Sequence, residues 1–269
     1  MNEHSPEISQ LARLLCIVRD LRERCPWDRE QTLADVAKYL IEEAYEAADA
    51  IARGDPLAIA DELGDLLVQV LFAAVMAEQE GRFAVGSLPQ RAADKLIRRH
   101  PHVYAGDKAE TAAEVVANWN LIKSEERKAE GFRSALDGIA RGLPALMRAE
   151  KLGSRARQAG MDWADIHEVL AKVREEMDEL EGALAADDSD AAAHELGDML
   201  LALANAPRFI GRDAEETLRR ACEKFICRFE RVERIASARG LDLTKMTTAE
   251  VESLWQEAKR LDQSAASNK

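Results

Sequence analysis

Glu42-Glu43-Ala44-Tyr45-Glu46 is followed by Glu62-Leu63-Gly64-Asp65, and the chain writes the pattern again as Glu175-Glu176-Met177-Asp178-Glu179 and Glu195-Leu196-Gly197-Asp198. Glu43 and Glu46 are three residues apart, as are Glu62 and Asp65. On an α-helix that spacing puts both carboxylates on one face, one turn apart. The chain between the two acid pairs has room for two antiparallel helices and a short turn, Arg53-Gly54-Asp55-Pro56 in the first copy and Asp187-Asp188-Ser189-Asp190 in the second. Such a hairpin makes the pairs face each other. A lone E-E-x-x-E segment is commonly a solvated helix face. A solvated face does not require the same acids to recur with the same gap, so the repeat points to a cation site in at least one copy.

The repeat also sets the domain organisation. A chain of 269 residues suits one large core or two ordinary ones, and the duplicated motif favours two copies of one unit. The composition is rich in Ala, Leu, Glu and Arg and poor in aromatics, Gly and Pro, which predicts an all-α protein. The expected boundaries are a first unit over 8–130, a linker over 131–142, a second unit over 143–262, and a disordered tail over 263–269. A net charge of −13 argues against a nucleic-acid duplex as partner, though not against a nucleotide held through a metal. Cys16, Cys25, Cys222 and Cys227 form no C-x-x-C pair and read as reduced, mostly structural thiols, with Cys222 and Cys227 expected to be buried. The start of the chain lacks signal-peptide regions. The longest apolar stretch, Leu66 to Ala77, suits a buried core helix and is too short to span a bilayer, so the expected location is the cytoplasm.

Helical periodicity begins with Leu11, Leu14, Leu15, Val18 and Leu21, and Pro26 biases Cys25 away from the helical region, ending that helix near Arg24. Trp27 to Thr32 reads as a polar loop, with Thr32 or Asp35 capping the acid-bearing helix. The partner helix starts near Pro56. Gly81 to Pro89 reads as a connection, and the next helix, with Lys95, Arg98 and Arg99, breaks at a His100-Pro101-His102 loop. Ala112 to Lys128 is helical again. Landmarks beyond the acids recur: Trp27 with Trp163, Lys95 and Arg99 with Lys224 and Arg228, and Trp119-x-x-x-Lys123 with Trp255-x-x-x-Lys259.

Carboxylates converging from two helices form a hard, all-oxygen site that suits Mg²⁺, with Mn²⁺ as the alternative, rather than zinc. Mg²⁺ keeps room for water and substrate phosphates, the coordination that phosphate hydrolysis needs. Lys224 and Arg228 are placed to neutralise phosphate oxygens, and Trp255 either stacks on a base or anchors an amphipathic core. His100 and His102 read as structural. A ferritin-like di-iron bundle expects Glu-x-x-His pairs, and none is present, since His194 directly precedes Glu195.

With these motifs, the Cys25-Pro26-Trp27-Asp28 loop and Arg99-His100-Pro101-His102-Val103 in view, the sequence closely resembles the MazG family of nucleoside triphosphate pyrophosphohydrolases over nearly its whole length. The resemblance implies tandem helical-bundle pyrophosphohydrolase units, assembled as a homodimer, that convert NTP or dNTP and water into NMP and pyrophosphate with Mg²⁺. It implies metal ligands Glu176, Glu179, Glu195 and Asp198 in the second copy and Glu43, Glu46, Glu62 and Asp65 in the first. It places Glu175 against the nucleotide or its water, and gives substrate binding to Lys172, Lys224, Arg228, Trp255 and Lys259. The family pattern leans toward the second copy as the hydrolytic site, although His194 stands where another acid is expected.

The reaction expected is attack of metal-activated water on the α-phosphorus. The competing expectation is a helical nucleotide-binding interaction protein whose site is vestigial, and a third narrows the substrates to damaged or non-standard nucleotides.

Overall fold

The structure, a computed structural model, describes residues 6–267, and among them every regular element is helical. The chain divides into two compact units, Met1–Glu126 and Arg127–Lys269. The first contains α1 (Pro6–Arg24), α2 (Pro26–Glu30), α3 (Leu33–Arg53), α4 (Pro56–Gln79), α5 (Ser87–Arg99), α6 (Pro101–Tyr104) and most of α7 (Ala112–Ala129). The second contains α8 (Ala145–Gln158), α9 (Ile166–Ala185), α10 (Ser189–Asn205), α11 (Ala214–Ala238) and α12 (Thr248–Ser267).

In the first unit α3 and α4 form the expected hairpin. Thr32 and Asp35 share the capping task in a reciprocal box, each side chain accepting from the other's backbone N–H. The helix ends on Gly54 at φ 78°, a left-handed cap that costs glycine little. Asp55 then caps α4 by accepting from the Leu57 N–H at 3.0 Å, and Pro56 takes the first helical position. Ala47 and Ala50, both buried, are small enough to let helix backbones approach closely. Val18 of α1, Val36 of α3 and Phe72, Ala74, Val75 and Met76 of α4 form the core, so the apolar half of α4 packs while its other half carries the acids.

The second unit repeats the hairpin residue for residue. Glu43 and Glu176, Gly54 and Asp187, Asp55 and Asp188, Glu62 and Glu195 all stand 133 residues apart. Asp187 accordingly adopts the left-handed conformation of Gly54, at φ 58°, and Asp188 caps α10 by accepting from the Ala191 N–H at 3.0 Å. The core of this unit joins Val232 and Ala236 of α11 to Leu254 and Ala258 of α12. Helix α8 packs on α10 and α11.

Several short segments differ from the sequence expectation. The loop expected over Trp27 to Thr32 is largely the helical turn α2, for Pro26 is preset for a helix start and Arg22 bonds the Asp28 and Gln31 carbonyls that close it. The loop expected over His100-Pro101-His102 is a break at His100 alone, because Pro101 and His102 already belong to α6, again with Pro at the first position. The connection after Gly81 ends at Gly86, with Ser87 opening α5, instead of at Pro89. Cys222 and Cys227 are exposed, correcting the expectation that they are buried: they lie on the outer face of amphipathic α11, while Cys16 is exposed on α1 and Cys25 half-buried between α1 and α2. Helical backbone continues through Ser267, across most of the segment read as a tail, and residues 268 and 269 lie outside the described residues.

Candidate metal centre

Each hairpin brings carboxylates from both of its helices to one point. In the first, Glu43 of α3 and Glu62 and Asp65 of α4 offer oxygens within 4.8 Å of one another; in the second, Glu176 and Glu179 of α9 and Glu195 of α10 do so. The remaining acid of each copy is adjacent: Glu46 hydrogen-bonds Glu62, and Asp198 acts electrostatically on Glu195. The eight acids therefore assemble as two groups of four, with a different member at the edge of each.

Concentrated negative charge leaves a signature. The Glu43 carboxyl is raised above the ordinary carboxylate range by burial and by Asp65, Glu46, Glu62 and Glu42 around it. Burial and then Glu46 and Asp65 raise Glu62, while in the second copy burial, Glu179, Glu176 and Asp198 raise Glu195. A cation relieves this repulsion. Oxygens around one Mg²⁺ lie about 3 Å apart when adjacent and about 4.2 Å apart when opposite, so each triad, already within 4.8 Å, could close on an ion by side-chain rotation. The donor set is all carboxylate oxygen, which fits a hard divalent cation.

Among the expected substrate groups, only Lys172 meets the acids. Its Nζ lies 2.6 Å from Glu176, which is 4% exposed, and 2.7 Å from Glu175, and these two bonds hold the ammonium well above its ordinary pKa. Lys224, Arg228, Trp255 and Lys259 sit instead on the α11–α12 pair. There Trp255 packs on Phe225, ring centroids 5.0 Å apart, and Arg228 covers its ring. Lys224 and Lys259 are exposed. In the first unit Lys123 lies 5.9 Å from the Trp119 ring centre.

Two residues escaped the sequence reading. Asp262 binds Arg228 and Arg231, and Glu126 binds Arg98 and Arg99. Their signal was a shared spacing, each lying seven residues after its unit's late Trp.

The MazG nucleotide pyrophosphohydrolase domain matches residues 31–104 and again 165–233, so each match contains one carboxylate hairpin. The chain belongs to the MazG family. It is 48% identical over 258 residues, 94% of this chain and 98% of the other, to the nucleoside triphosphate pyrophosphohydrolase of Escherichia coli K12. It is 36% identical, over 93% of this chain and 96% of the other, to the nucleoside triphosphate pyrophosphohydrolase/pyrophosphatase MazG of Thermotoga maritima. The uncharacterized protein YabN of Bacillus subtilis is 38% identical over 91% of this chain, which matches 51% of that protein. With two family matches in one all-helical chain, the MazG architecture is a tandem repeat here.

Proposed function

We propose that this MazG chain hydrolyses nucleoside triphosphates, NTPs and dNTPs, to the monophosphate and pyrophosphate with Mg²⁺, or Mn²⁺ in its place, held by the second carboxylate centre. The observation that carries the reading is the convergence of Glu176, Glu179 and Glu195 within 4.8 Å in a chain so similar to a named pyrophosphohydrolase. A divalent cation there would screen phosphate charge and lower the pKa of an attacking water.

The chain's own groups divide the remaining work. Glu176, Glu179, Glu195 and Asp198 supply the oxygens that hold the cation. Glu175, exposed beside them, would accept a proton from the attacking water. Lys172, 40% exposed on a flexible stem, can turn from Glu175 and Glu176 to a phosphate oxygen. Lys224, Arg228 and Lys259 provide further positive charge, and Trp255 an aromatic face.

A homodimer belongs to the same proposal. Helix α10 exposes Leu196, Leu200 and Leu201, an apolar surface that a second copy would cover. Four cysteines without a disulfide fit a reducing compartment such as the cytoplasm, and among the described residues no helix is long and apolar enough to cross a membrane.

The test is product identification from a panel of NTPs and dNTPs with Mg²⁺. Monophosphate with pyrophosphate is expected, and both Glu195→Gln and Asp198→Asn should abolish it while the circular dichroism stays helical. Diphosphate with orthophosphate, or undiminished pyrophosphate release from both variants, would overturn the assignment.

A further inference from the structure

The two carboxylate centres differ at the position one turn before the first ligand. Lys172 precedes Glu176 there, and Tyr39 holds the corresponding place before Glu43. Lys172 is bonded to both Glu175 and Glu176. The Tyr39 ring instead lies beside Trp27, centroids 6.3 Å apart. The cations on the same helix as Glu43 and Glu46 are engaged elsewhere, Lys38 with Asp35 at 3.4 Å and Arg53 with Asp49. Arg53 acts on Glu62 only at a distance, since its own ion pair is with Asp49 at 2.8 Å. The flanking residue widens the contrast: Asp61 stands beside Glu62, and His194 beside Glu195.

We propose that Lys172 is a tethered cation of the second centre, so that without nucleotide the first centre takes up a divalent cation more tightly than the second. This rests on reading both clusters as cation sites. A carboxylate as buried as Glu176 needs a counter-charge, and Lys172 provides it from one turn away on the same helix, where it stays at high local concentration. An incoming divalent ion must either displace the ammonium or sit a few ångströms from a like charge. Tyr39, at the matching position, gives the first centre no such occupant. It adds no charge to oppose the ion.

Mn²⁺ titration of the full-length protein without nucleotide, followed by the electron paramagnetic resonance of the free ion, tests this independently of turnover. Two affinity classes are expected. Glu62→Gln should remove the tighter one, and Glu195→Gln should leave it in place. Lys172→Tyr, which installs the first-copy residue, should tighten the weaker class about tenfold, and Lys172→Met should do the same without an aromatic ring. The proposal is overturned if both lysine variants leave that class unchanged while keeping wild-type helicity, or if Glu195→Gln removes the tighter class. Two equal classes overturn the asymmetry alone, whereas no Mn²⁺ uptake by any version overturns the cation reading along with it.

Discussion

Arg228 donates from Nε to Oδ2 of Asp262 at 3.1 Å while its guanidinium carbon stands 5.2 Å from the centre of the Trp255 ring. Asp262 follows Trp255 by seven residues, two turns along α12, and Glu126 follows Trp119 by the same interval on α7. In the first unit Arg99 donates to Glu126 through Nε at 2.9 Å and Nη2 at 2.5 Å, with Arg98 on the other carboxylate oxygen at 2.6 Å. Both copies thus clamp an arginine pair from an earlier helix onto a single acid of the Trp helix.

That clamp fixes where Arg228 presents its charge. The side chain is 15% exposed, so the guanidinium has few alternative positions. Asp262→Asn keeps an acceptor but removes the charge, and Arg228 should then sample other rotamers. The expected result is a KM for nucleotide raised about three- to tenfold with kcat nearly unchanged. Arg228→Ala should raise KM at least as much, and the double variant should be no worse than Arg228→Ala alone, because the two residues act through one contact. Steady-state kinetics on the four proteins decides it. Additive effects would mean that Asp262 works independently of Arg228.

Asp187 gives a stability prediction from the duplicated turn. It holds φ 58° where the first hairpin has Gly54 at φ 78°. A left-handed conformation crowds the Cβ of an L-residue, although Asp tolerates it better than most. Asp187→Gly should therefore raise thermal stability, by on the order of 0.5 kcal/mol after the greater chain entropy of glycine in the unfolded state is offset. Asp187→Val should do the opposite and more strongly. Differential scanning calorimetry of the two variants measures both signs.

The hairpins were legible in the sequence because their causes are local: acid spacing, Thr32 and Asp35 at one helix start, Gly54 at its end and Pro56 at the next start. The carboxylate centres followed, since helical spacing converts i,i+3 acids directly into a shared face. The arginine clamps were not legible. Arg99 and Glu126 are separated by 27 residues and Arg228 and Asp262 by 34, and nothing local says which exposed-looking acid a distant arginine will choose. Helix periodicity alone did not reveal the short helices α2 and α6 either, which owe their turns to Pro26 and Pro101 at the first helical position. Lys172 was readable as a substrate group from its resemblance, but its engagement with buried Glu176 depends on burial that only the fold creates.

Gly153 marks the closest approach of α8 to α10. A Cβ built there would lie 1.7 Å from Oδ1 of Asn205. Asn205 is only 2% exposed, and its Nδ2 donates to the Leu201 carbonyl at 2.9 Å, so it cannot swing aside without losing that bond inside the unit. Gly153→Ala should cost about 2–3 kcal/mol, at the upper end for an overpacked core position. Combining it with Asn205→Ala should recover most of the loss, because the second change removes the clashing amide. Urea denaturation of the single and double variants tests the pair, and a Gly153→Ala protein as stable as the wild type would show that the helices separate freely.

The raised carboxyls give the two carboxylate centres a signed pH dependence. Glu43, Glu62 and Glu195 are shifted upward, first by burial and then by neighbouring acids, so in the folded protein they favour protons more than in the unfolded chain. Their contribution to stability is full below the ordinary carboxylate range and is lost as pH rises through their elevated values. Glu126 runs the other way: hydrogen bonds from Arg99 and Arg98 lower it, so its contribution is present above the ordinary range and disappears on acidification. A divalent cation competes with protons for the first set and leaves Glu126 untouched. Added Mg²⁺ should therefore raise the melting temperature clearly near about pH 8 and much less near about pH 4, where protons compete for the raised carboxyls Glu43, Glu62 and Glu195. Glu62→Gln and Glu195→Gln combined should remove the Mg²⁺ response at the higher pH and, with two repelling charges gone, melt above the metal-free wild type there. Melting curves across that pH range, with and without Mg²⁺, separate the two sets of carboxyls, and an equal Mg²⁺ response at both ends would mean that the ion acts elsewhere on the acidic surface.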